Sequence, residues 1–192
     1  MNTRYLIWVF VAIVAGAIMF ANARMQFKSA QSKMEKQYIE EASITVTAPK
    51  LEKKTVNEKQ IKEKQKDFVE YVAIYGTFYK KTEYSMIYTL YKNDFSIEAA
   101  AQNVINLFAD KSFNKNVLNS AEGTDEKINI DGTFEINGKK FGVEALLIKR
   151  ALNFWQLISV FPYSDANKDL AKNYVNSAAI DAVISHKAEK NK

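Results

Sequence analysis

The sequence predicts an α+β fold: a single N-terminal transmembrane helix, then one domain with an antiparallel sheet flanked by helices, in the order β-β-β-α repeated. Three observations carry this. Tyr5 to Ala21 runs for 17 residues without a charge. Asp67 to Phe95 contains alternating side chains, and alternation puts successive residues on opposite faces of a strand. Asn137-Gly138 divides two further alternating runs and has the preferred chemistry of a two-residue hairpin turn with positive φ.

Residues 1–4 are a short tail. Tyr5 to Ala21, as a helix rising about 1.5 Å per residue, spans roughly 26 Å, enough for a thin bilayer. Two readings of it compete. One is a permanent anchor, with Tyr5 and Trp8 at an interface. The other is a secretory signal cut at Ala23, because Ala21-Asn22-Ala23 is a small-x-small site. The length of the apolar middle puts the anchor first. A literal count of Arg24, Lys28, Lys33 and Lys36 keeps the following domain in the cytoplasm. The signal-like start argues for export. The expectation adopted is a single-pass protein of the inner (cytoplasmic) membrane with its domain on the periplasmic side.

Residues 22–42 are expected to form a helical stalk, since Met25, Ala30, Met34, Tyr38 and Ile39 recur at roughly helical spacing. The domain is expected over residues 43–185. Ser43 to Ala48 is a short β-type run ended by Pro49. Lys50 to Lys66 carries seven Lys against three Glu. That localises the basicity, because the whole chain is +5. A charged flank is the first reading, and weak contact with anionic lipid is the alternative. No aromatic residue interleaves with these lysines to stack on bases, so nucleic acid is not expected as a partner.

The first long strand has Val72, Ile74 and Phe78 on one parity and Tyr71, Tyr75 and Tyr79 on the other. Lys80-Lys81-Thr82-Glu83 marks a turn, and Tyr84 to Tyr91 returns with Tyr84, Met86, Tyr88 and Leu90 on one face. Ser96 caps a helix with stripe Ile97, Ala101, Val104 and Phe108. Ser112 to Lys127 reads as a polar connector. Ile128 to Ile136, Lys140 to Arg150 and Phe154 to Phe161 are strands. Pro162 ends the last of them, and Ser164 caps a helix over Asp165 to Asn176. Residues 186–192 are a polar tail.

The run from Gly138 through Phe141-Gly142, Arg150, Phe154-Trp155-Gln156-Leu157, Pro162, Leu170 and Tyr174-Val175-Asn176-Ser177 resembles the closing half of PsbP/Mog1-like domains. The resemblance covers about the last 55 residues well and the rest by element order. It implies an antiparallel sheet with helices on both faces. It also implies an accessory or binding role, since that family consists mostly of non-catalytic partners of larger assemblies.

Little in the chain points to chemistry. It has no Cys and one His, His186, in the polar tail. Zinc sites of the usual Cys/His type and His-based triads are therefore absent. No glycine-rich phosphate loop is present. Glu135 faces Lys140 across the expected hairpin as an ion pair. Asp125, Glu126 and Asp131 lack the spacing of a calcium loop and read as solvated turn residues. No catalytic residue, metal ligand or cofactor is expected. The function expected is a membrane-anchored, non-catalytic accessory domain of a bacterial cell-envelope assembly, binding another envelope protein. The alternative is a secreted domain that binds a small apolar or peptide ligand. The expected docking face comprises Tyr71, Tyr75, Tyr79, Tyr84 and Tyr88, because tyrosine offers large contact area with few torsions to freeze. The competing reading has one of the domain's own helices covering that face.

Overall fold

The computed structural model describes residues 33–54, 67–108, 112–118 and 125–182. Within them are ten strands, two α-helices and one turn of 3₁₀-helix. The strands are β1 (Glu35–Ile39), β2 (Ile44–Ala48), β3 (Glu52–Lys53), β4 (Val69–Tyr79), β5 (Thr82–Tyr91), β6 (Ser112–Leu118), β7 (Asp125–Ile136), β8 (Lys139–Arg150), β9 (Asn153–Pro162) and β10 (Ala179–Ile180). The helices are α1 (Ile97–Leu107) and α2 (Asp165–Asn176). The large sheet has the order β3-β4-β5-β9-β8-β7-β6, and a small sheet has the order β1-β2-β10. Every described pairing is antiparallel.

This corrects the expected α+β architecture. The described chain is mostly β, with two helices of 11 and 12 residues. Two segments account for the difference. Glu35–Ile39 belongs to no helical stalk: it pairs with β2 through a tight reversal at Ser43, whose φ is 47°. The Gln37 side chain donates to the carbonyls of Ala48 and Pro49 and accepts from the Leu51 N–H, which ties β1 to the chain beyond β2. Ser112–Leu118, expected within a connector, is an edge strand paired along its length with β7.

The expected transmembrane helix is corrected as well. Among the described residues no helix is long and apolar enough to cross a membrane. Residues 5–21, on which that expectation rests, lie outside the described residues, as do residues 22–32, 55–66 and 186–192.

Turn chemistry sets the hairpins. Lys80 and Lys81 take φ of 47° and 64° between β4 and β5, and Asn137 and Gly138 take 51° and 71° between β7 and β8. Two consecutive positive-φ residues match the right-handed twist of the flanking strands. Ser96 accepts from the Ala99 N–H and Ser164 from the Asn167 N–H, so each helix has a side-chain cap.

Alternation along β8 divides the interior. Val143, Ala145 and Leu147 join Ile128, Ile130 and Phe154 beneath α1, packed against Ile97, Ala101 and Val104. Leu146 and Ile148 point the other way, into a second core with Tyr84, Tyr88, Trp155, Tyr174, Ile44 and Val46. One face of the large sheet is thus covered by α1, the other by α2 together with the small sheet. Gly142 permits a close approach on this second face. A Cβ there would stand 2.3 Å from the ring of Phe161, which is buried and has nowhere to move. Gly142→Ala is therefore expected to destabilise by about 1–3 kcal/mol. Adding Phe161→Leu should recover part of that loss in a double-mutant cycle read by urea unfolding.

Candidate functional site

The tyrosine face lies against the small sheet. Tyr84 and Tyr88 are fully buried, and Tyr71, Tyr75 and Tyr79 are half-buried against the same core. The hydroxyls of Tyr71 and Tyr75 both donate to Oε2 of Glu41, at 2.5 and 2.9 Å. Lys53 Nζ donates to Oε1 of the same carboxylate at 2.9 Å. Tyr88 donates to Asn153 Oδ1 at 2.8 Å, and its ring packs 5.5 Å from that of Trp155. The face expected for external docking is turned toward the domain's own core. Tyr71 and Tyr75 hold Glu41 in the 3₁₀ turn between β1 and β2, Tyr84 meets Tyr174 of α2 edge-on, Tyr88 packs on Trp155, and Tyr79 borders the same core. Burial works to raise the Glu41 carboxyl, but the hydrogen bonds from Tyr71, Lys53 and Tyr75 outweigh it and hold Glu41 below its usual range.

A second constellation lies on the same face, further across the sheet. Strand register places Tyr84, Ser159, Glu144, Asp131 and Asn114 in one transverse row over five strands. Ser159 Oγ donates to the Glu83 carbonyl at 2.9 Å, and Asn114 Nδ2 donates to Asp131 Oδ2 at 3.1 Å. Glu144, between them, is only 1% exposed. Neither of its carboxylate oxygens has a hydrogen-bond partner, and the same holds for the buried Oδ1 of Asn129. Burial pushes the Glu144 carboxyl up to about 7, with Asp131 adding to the rise and Lys172 and Lys168 of α2 working against it. The sequence placed Glu144 on the strand after Asp131. It gave no sign that α2 would enclose this carboxylate.

The other acids are structural. Asp125 and Glu126 are strand residues, not turn residues. Asp125 takes a two-point contact from Arg150 at 2.6 and 2.9 Å, and Glu126 pairs with Lys149 at 2.8 Å. Glu135 and Lys140 are direct register partners, while the Lys140 ammonium stands 4.4 Å from the centre of the Tyr163 ring. Among the described residues no group of three or more His, Cys, Asp or Glu is placed to hold a metal ion. His186 lies outside the described residues. The row offers hydrogen-bonding groups to a ligand, but no hydroxyl in it donates to a carboxylate as an activated nucleophile would.

No family model matches the chain, and no curated protein matches it. Among solved structures, a protein of unknown function from Pseudomonas aeruginosa, put forward as a regulator, matches with a TM-score of 0.38 and 10% identity. The match covers 73% of this chain and 89% of that one.

The Glu41 cluster makes a testable claim. A carboxylate held low in the folded state binds fewer protons there than in the unfolded chain. Its contribution is present above the ordinary value of 4.5 and is lost as pH falls through the folded-state value. Glu41→Gln is expected to destabilise at pH 7, by about 1 kcal/mol, with the two proteins converging in acid. Tyr75→Ala should lower the melting temperature clearly, as removal of a packed and hydrogen-bonded ring does. An unchanged melting temperature would return that ring to the surface.

Proposed function

We propose that this chain is a non-catalytic binding domain that works through contacts with another protein, docked on the β6–β7 wing of the large sheet. One observation carries this reading. Among the described residues the small sheet and α2 cover their face only as far as β8, and no apolar β7 side chain enters the core beneath them. Beyond that limit the same face holds Lys127, Asn129, Asp131 and Thr133 partly exposed, though Asn129 Oδ1 itself is buried, flanked by exposed Asn114 and Asn116 on β6. Among the described residues β6 has one hydrogen-bonded neighbour, so its outer edge can pair with an extended segment of a partner. Amide and hydroxyl side chains beside such an edge give a partner strand its register. The resemblance of the closing half to PsbP/Mog1-like domains favours the same kind of role.

The reading is tested by placing a photo-crosslinking residue at Asn116 in the producing cell, with exposed Lys92 as the control position. A single adduct of defined mass is expected at Asn116 and none at Lys92. Thr133→Arg should abolish the adduct with little change in melting temperature. No adduct at Asn116, or equal adducts at both positions, would overturn the proposal.

A further inference from the structure

Glu144 is a side chain the fold has not satisfied. It sits on β8 beneath α2, which packs across β8 and β9. The structure gives neither carboxylate oxygen a hydrogen bond. Its direct cross-strand partner is Asp131, and like charges opposite one another on neighbouring strands repel. From α2, Lys168 and Lys172 act on it, one helical turn apart. Ser159 on β9 has its hydroxyl committed to the Glu83 carbonyl. An ionised carboxylate in that position loses its hydration and gains no contact partner. A neutral one loses far less.

The two halves of α2 are held unequally. Tyr174 donates through the core to the Ser85 carbonyl at 2.7 Å, and its ring meets Tyr84 edge-on at 5.4 Å. Ser177, just past the helix, accepts from the Thr47 N–H. These contacts fasten the C-terminal half. In the first two turns, Asp165 and Ala166 are exposed; the ties there are the Ser164 cap, Asn167 donating to the Pro162 carbonyl, and the small side chain of Ala171, which is buried.

We propose that Glu144 is a proton-operated latch: α2 stays fully seated while Glu144 is protonated, and its first two turns lift when the carboxylate ionises. Lifting hydrates Glu144, separates it from Asp131 through water, and frees Lys168 to meet it outside the core. It also uncovers the inner end of the polar row. The sign follows from linkage. The seated state binds the proton more tightly than the lifted one, so rising pH favours lifting.

The test is amide exchange on the full chain from pH 5 to pH 8.5, corrected for intrinsic rates, comparing residues 165–172 with residues 174–176. The lifted population of the first segment should rise up to about tenfold per pH unit between the ordinary carboxylate value and about 7, then level off. Residues 174–176 should not follow. Glu144→Gln should remain protected and flat with pH. Asp131→Asn should move the plateau to lower pH, and Lys168→Gln with Lys172→Gln should move it higher. Glu83, also pushed up to about 7 by burial, lies on the opposite face, so Glu83→Gln should leave the local profile unchanged. The same rise in Glu144→Gln would overturn the latch. A carboxyl NMR titration of Glu144 in the wild-type chain near 4.5 would also overturn it, and that reading needs no variant to fold.

Discussion

The covering layer on the tyrosine side depends on one buried hydrogen bond. Trp155 Nε1–H donates to the Ala42 carbonyl at 2.8 Å, joining the central strand β9 to the turn between β1 and β2 across 113 residues of sequence. An indole N–H enclosed in a core must find an acceptor, and leaving one unmade costs about 1–3 kcal/mol. The acceptor it finds is a carbonyl at the end of a 3₁₀ turn, where the backbone has an oxygen to spare. That choice fixes where the β1–β2 hairpin sits on the sheet. Once Ala42 is over Trp155, Glu41 reaches Tyr71 and Tyr75. Ile44 and Val46 then enter the core between sheet and hairpin.

The remaining ties on this face follow the same rule, with a polar tip on a large ring paired to something fixed. Tyr174 reaches the Ser85 carbonyl, and Tyr88 reaches Asn153. Arg150 adds a peripheral clasp, holding Asp125 with two nitrogens and the Asp181 carbonyl with a third. Glu144 differs in kind: both oxygens of a chargeable group go without a hydrogen bond, whereas its unsatisfied neighbours on the same face, the Tyr84 hydroxyl and Asn129 Oδ1, are neutral. Replacing it with an apolar residue of similar volume would remove a cost. A carboxylate kept at such a cost is a reason to look for a protonation equilibrium there.

Much of the large sheet was legible because its signals are local. Alternation in Tyr71 to Tyr79 and in Tyr84 to Leu90, the Asn137-Gly138 turn, and the Ser96 and Ser164 caps each act within a few residues. The structure has strands, turn and caps at those places. Glu35–Ile39 was not legible. Met34, Tyr38 and Ile39 suit a helix stripe, and what makes this segment a strand is pairing with Ile44–Ala48, which the spacing of apolar residues does not report. Ser112–Leu118 was hidden for a related reason: an edge strand carrying Asn114, Lys115 and Asn116 looks like a loop until its partner β7 is in place. The tyrosine face shows a different limit. Its parity was readable, but parity states that a face exists and is silent on what covers it.

The chemistry that recommended those tyrosines for an interface is the chemistry that made them a good internal seat. A ring with few torsions and a hydroxyl at its edge suits any surface assembled from separate pieces, whether the pieces belong to two chains or to one. Here the docked piece is covalently joined, so it arrives without the translational entropy a separate partner would lose. The tyrosine surface is consumed in building the domain. Among the described residues, what the small sheet and α2 leave uncovered is the other end of the same face, where ring side chains give way to Asn129, Asp131 and Thr133. Among the described residues a single sheet thus carries a dry half that holds the domain together and a more polar half that the small sheet and α2 do not cover. Glu144 lies on the boundary between them, on the last strand that α2 covers.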